Sequence, residues 1–247
     1  MTETRMTLLQ HFSELRRRVI WTLLFFCIAF GVGFFVSKYM QEFLTAPLIR
    51  AWGGGTMLYT GLTDGLMIEF SLATLFAVFA TCPFLLWQAW AFVAPGMKRS
   101  ERVLIGPMLV LSPALFLAGA AFAYYFLFPI VFKFFIEMNQ SGGMPASFLP
   151  VVTNYLSFVI GLLKVFGCAF QLPLVLVLLN RIGILPRATV VKSRRYAIVG
   201  FFIIAAILTP PDIMSQVILA LPLWILFEIS ILFMRNGTRD QEYEIRK

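Results

Sequence analysis

The sequence predicts an all-α membrane protein of six transmembrane helices, kinked by internal prolines, with both termini in the cytoplasm. Three observations carry that reading. Of the 247 residues, 60% are hydrophobic and only 13% charged, and the mean hydropathy is +0.87; that leaves too little polar surface to coat a soluble globule. Residues 70–94 and 103–132 contain no Asp, Glu, Lys or Arg, and each run exceeds the roughly 20 residues a helix needs to cross a bilayer. The bases cluster in alternate loops, the asymmetry that orients membrane spans.

At the start, Leu8, Phe12, Leu15 and Val19 recur at helical spacing and predict an amphipathic helix over 7–18. Thr7 and Gln10 fit its capping box. Arg16, Arg17 and Arg18 then precede the first span, 19–36. That span is too long for a signal-peptide core, and no small-residue cleavage site follows it. Residues 37–69 read as a polar, broken outer loop containing Pro47 and the triplet Gly53, Gly54 and Gly55. No Lys-Ser/Thr follows those glycines, so they make no phosphate loop.

Spans two and three, 70–94 and 103–132, form a hairpin whose tip is Trp87 to Arg102. Ala94, Pro95 and Gly96 break the helix there, and Ser100 can cap the next one. The tip holds Lys98, Arg99 and Arg102, with Glu101 as its lone acid. Pro107, Pro113 and Pro129 predict kinks in span three. A second outer loop is expected over 133–151, and span four over 152–179, interrupted by Lys164, Gln171 and Pro173. Residues 180–195 carry five bases and no acid, which reads as an inner loop. The short span five, 196–209, turns through Pro210, Pro211 and Asp212 into span six, 213–234. Residues 1–234 are read as one domain, and the charged segment 235–247 as a tail without fixed structure. Sixteen of the twenty Lys and Arg residues fall inside on this topology, and only Lys38, Arg50 and Lys133 fall outside. Lys164 lies within a span.

The polar residues exclude most enzyme chemistry. A serine protease usually needs a His base, yet the single histidine, His11, precedes the first span. Asp212 is the only aspartate near a membrane segment's interior, so a facing pair is missing. Zinc ligands are lacking, Cys27, Cys82 and Cys168 read as free thiols in apolar runs, and no cofactor is expected. The net charge of +8 is explained by orientation and anionic lipid rather than nucleic acid. Lys164, Gln171 and Glu228 at membrane depth keep a channel or secondary transporter open. Plain structural roles also remain open: Glu101 in a first helical turn, Glu14 paired with Arg18 four residues on, and Asp212 as a cap.

Eight motifs, taken in order, resemble the TatC family, the multispanning receptor subunit of the twin-arginine protein translocase. They are HFSELRRR at 11–18, APL at 46–48, WAFVAPGMKRSER at 90–102, FAYYFLFP at 122–129, YLSFV at 155–159, FGCAFQLP at 166–173, LTPPDIMSQ at 208–216 and LPLWILFEI at 221–229. The resemblance implies a concave, cup-like bundle of six kinked helices in the bacterial inner membrane. It implies binding of twin-arginine signal peptides of folded preproteins, with export driven by the proton-motive force. Its implied partners are the single-span TatA and TatB subunits, in a multimeric receptor complex.

By the same resemblance the signal-peptide site maps onto Glu14 and Glu101, with Leu15, Arg16, Phe92 and Pro95 nearby, and Pro47 matches a functionally sensitive position of the first outer loop. Two carboxylates on one face can each take an arginine fork, which lysine cannot reproduce. The chain departs from many relatives at Gln171, where they carry glutamate. An amide there is expected to meet a polar side chain of a partner helix. The sixteen residues 196–211 give a helix of about 24 Å, shorter than the roughly 30 Å of hydrocarbon. Local bilayer thinning is therefore expected beside span five, with a partner docked around Val199, Phe202 and Ile203.

Overall fold

The computed structural model describes residues 8–53, 56–93, 105–140, 149–209 and 212–235. The described residues form helices α1 (Leu8–Trp52), α2 (Asp64–Val93), α3 (Ile105–Phe122), α4 (Phe128–Gln140), α5 (Val152–Ala169), α6 (Leu172–Arg181), α7 (Arg187–Lys192), α8 (Arg194–Leu208) and α9 (Ile213–Phe233). A π-helical turn, Ala123–Leu127, joins α3 to α4. Five stretches are long and apolar enough to cross a membrane: 12–52, 64–92, 106–138, 152–181 and 213–233. Helix α8, with 15 residues, is the sixth apolar helix and the short one.

α1 corrects the sequence reading. It does not end at Val36 but runs 45 residues to Trp52, with Pro47 inside it, a length of about 68 Å. The segment read as a polar loop keeps a helical stripe, because Ser37, Leu44 and Leu48 are buried at 2–3% exposure. Proline removes the hydrogen bond to the carbonyl four residues back, here Phe43. That carbonyl instead accepts the Tyr124 hydroxyl at 2.8 Å, and Tyr155 donates to the adjacent carbonyl of Leu44 at 2.6 Å. Two hydroxyls from other helices therefore carry α1 through its proline, as a bilayer-embedded backbone requires.

The third span also runs further than expected. α4 continues to Gln140 instead of giving way to a loop at Lys133, because Phe128, Phe132 and Ile136 repeat on one buried face. Before Pro129 the ladder widens, and the Phe128 N–H reaches the carbonyl of Ala123, the i→i+5 bond of a π-bulge. Span four is two helices, α5 and α6, broken at Phe170 and Gln171 ahead of Pro173. The basic segment read as a loop holds the short helix α7, whose Arg187 Nε donates to the Ile231 carbonyl of α9.

Packing is closest where side chains are smallest, the usual device when lipid is as apolar as the core. A Cβ on Gly33 would lie 2.8 Å from the Ala73 carbonyl oxygen of α2, and one on Gly167 would lie 2.7 Å from the Phe116 ring. The main core gathers Leu72, Phe128, Val131, Val159, Leu162 and Phe166, each fully buried. A smaller cluster, Trp90, Met108, Leu174 and Leu178, closes the bundle near the hairpin tip. At the opposite end a parallel bridge links Leu58 to Val151. There Asp64, the first residue of α2, fixes the turn before the helix by accepting the backbone N–H groups of Thr60 and Gly61 at 2.9 and 2.7 Å.

Candidate functional site

At the hairpin end, α1 and α2 are tied by one arginine. Arg18 donates from Nε at 3.0 Å and Nη2 at 2.5 Å to Glu14 Oε1, and from Nη1 at 2.6 Å to Gln88 Oε1 of α2. The Glu14–Arg18 pair is more than the exposed i,i+4 contact of the sequence reading. Its side chains are only 26% and 22% exposed, and Arg18 spends its third donor on another helix. Glu14 Oε2, by contrast, is buried with no hydrogen-bond partner among the described residues. A buried carboxylate oxygen without a donor is costly, and it presents an unused anionic acceptor.

Gln88 lies four residues before Phe92, so both share a face of α2, and Phe92 is half-buried at the last turn. Leu15, at 38% exposure, and Arg16 are exposed on α1. The structure thus gathers Glu14 and Phe92 at one end through Arg18 and Gln88. Pro95 and Glu101 lie outside the described residues. Trp90, in the last turns of α2, is buried with its indole Nε1 unpartnered among the described residues.

Residues 10–222 match the family model described as Sec-independent protein translocase protein (TatC). A curated relative of that name from Magnetococcus marinus is 40% identical over 240 residues, 97% of this chain and 88% of the relative. Another, from Escherichia coli strain K12, is 35% identical over 234 residues, 94% and 90% of the two chains. The chain belongs to the TatC family. A crystal structure of the twin-arginine translocase receptor TatC superposes with TM-score 0.82 at 34% identity, covering 90% of this chain and 97% of that one. The all-α fold of kinked membrane helices is thus that of a TatC protein, a multi-pass inner-membrane protein. A channel or transporter outside the family finds no support.

The remaining candidate residues fall elsewhere in the TatC frame. Pro47 is inside α1 at the far end of the molecule rather than in a loop. Gln171 sits at the α5–α6 break and closes on α3: its Nε2 donates to the Ser112 carbonyl at 2.8 Å, and the Ser112 hydroxyl donates to its Oε1 at 3.0 Å. One N–H and one lone pair are left for any partner helix. Asp212 caps α9, accepting the Ser215 N–H at 2.7 Å and the Ser215 hydroxyl at 2.6 Å. Val199 and Ile203 are more than half exposed on α8. Phe202 lines a shallow apolar groove of about 130 Å³ against Trp224 of α9. Glu228 is paired with Arg194 at 2.8 Å, and Lys164 is half-buried in α5.

The sequence reading missed Arg18 and Gln88 as site-building residues. Gln88 is the only amide in an otherwise apolar stretch of span two. A polar group in hydrocarbon seeks a partner, and that was the available signal.

Proposed function

We propose that the chain is the core receptor subunit of a twin-arginine translocation system. It binds the paired arginines of signal peptides on folded preproteins and organises single-span TatA and TatB subunits into a multimeric complex driven by the proton-motive force. Family membership supports this reading, and the unpartnered Oε2 of Glu14 carries its chemistry. Arg18 occupies one oxygen and pins the carboxylate toward α2, so a peptide guanidinium that displaces the groups covering Oε2 meets a fixed acceptor rather than a swinging side chain. Glu101, which the sequence places in the hairpin tip after α2, supplies the second carboxylate. Leu15, Arg16, Phe92 and Pro95 border the path of the peptide.

The distribution of bases supports cytoplasmic placement of this end and of both termini. The role is recognition and assembly, not catalysis. Partner helices dock along Val199, Phe202 and Ile203, where the 15-residue α8 spans only about 22 Å and thins the bilayer. Gln171, Asp212 and Pro47 hold the bends that shape the bundle.

Co-purification with a twin-arginine preprotein tests the reading. The chain retains that preprotein and releases one whose arginine pair is changed to lysines, and Glu14→Gln or Glu101→Gln abolishes the preference. Equal retention of both preproteins by the unaltered chain would refute the assignment.

A further inference from the structure

At the end of α1 opposite Glu14 lies an open cavity of about 650 Å³. Its lining includes Pro47 and Arg50 of α1, Tyr125 of the π-helical turn, and Pro129, Lys133 and Glu137 of α4. Arg50 is exposed and makes no ion pair or side-chain hydrogen bond among the described residues. Lys133 has a loose contact with Glu137 at 3.8 Å between two largely exposed side chains, a pair worth little in water. The rim is therefore net cationic.

Two exposed apolar rows lead from this cavity along the helices toward the middle of the span. Tyr39 and Phe43 form one on α1, at 74% and 53% exposure, and Leu117, Ala121 and Tyr125 form the other. Phe43 stacks on Tyr124 at 4.3 Å and closes the floor between them. From Leu117 to Lys133 the second row covers about 24 Å, enough to span the roughly 15 Å depth of one leaflet's hydrocarbon. Cations at one end and aromatic and aliphatic surface along one leaflet's depth fit an amphiphile with an anionic head. The π-bulge helps, because the extra residue turns Tyr125 outward while Tyr124 stays buried.

We propose that this cavity is a binding site for an anionic phospholipid. Arg50 forks onto the headgroup phosphate and Lys133 adds a second positive contact. The acyl chains lie along Phe43 and Tyr125. Arg50 and Lys133 are two of only three bases that the topology assigns to this side, so their convergence on one cavity is not a consequence of the orienting charge bias.

The test is native mass spectrometry of the full chain, delipidated in neutral detergent and titrated with phosphatidylglycerol or phosphatidylcholine of matched chains. Phosphatidylglycerol is retained about tenfold more strongly. Arg50→Gln and Lys133→Gln each remove about that preference, while Lys38→Gln, an exposed base of α1 outside the cavity, leaves it intact. Glu137→Gln strengthens retention, an outcome a misfolded protein cannot mimic. Equal retention of the two lipids, an unaffected Arg50→Gln and Lys133→Gln double variant, or displacement by inorganic phosphate alone would overturn the site.

Discussion

The two ends of α1 solve opposite electrostatic problems with the same helix. At Glu14 an anion is held half-buried by Arg18 and Gln88 and keeps one oxygen unused. At Arg50 cations stand exposed over a cavity, and the polar groups that are tied down are backbone carbonyls freed around Pro47. One end is pre-organised through its side chains, the other through its backbone. The difference teaches where substitutions should act: at the Glu14 end on binding, at the Pro47 end on the shape of the helix itself.

The largest expected effect lies in the Glu14 carboxylate. Glu14→Gln keeps the size and the Arg18–Gln88 tie but loses the charge, and should weaken twin-arginine peptide binding by about 1.5–3 kcal/mol, the range of a charge-assisted hydrogen bond. Photocrosslinking of a labelled signal peptide measures it, and Arg50→Gln in the same assay should change nothing. If both variants lost binding alike, the two ends would not be separable.

Next comes the proline bend. Tyr124→Phe leaves the Phe43 carbonyl without its donor and should cost about 1–3 kcal/mol, read as unfolding stability in detergent. Pro47→Ala restores the N–H four residues on, so Tyr124→Phe should cost much less in that background. An additive double-mutant cycle would mean that the hydroxyl does not compensate the proline.

Gln88→Leu should have a smaller effect of about 1 kcal/mol on peptide binding, because it frees Arg18 to swing while leaving Glu14 charged. Rescue by Gln88→Glu, which can still accept from Arg18, separates positioning from simple packing. Smallest is Gln171→Leu, which removes the Ser112 contacts at a cost of about 0.6 kcal/mol, the average for such bonds inside membranes. Thermal unfolding should register that loss. A loss of TatA or TatB crosslinking without a stability change would instead place the amide's work on a partner helix.

Much of this molecule is legible in one dimension. Charge-free runs longer than a bilayer is thick define spans two and three, and the placement of bases orients them. The mapping of Glu14 and Phe92 to one end follows from topology alone, because both flank inner loops. These properties depend on transfer of local segments into lipid, and a sequence records that directly. Tertiary structure decided the rest, wherever a polar group is satisfied by a distant residue. α1 passes through Pro47 because tyrosines 81 and 111 residues away donate to the carbonyls near it. Glu14 is held in place because Arg18 reaches an amide 70 residues downstream. Gln171 turns inward because Ser112 offers both a hydroxyl and a carbonyl. In hydrocarbon no water can stand in for such partners, so the fold had to bring them together, and no local pattern announces which ones they are.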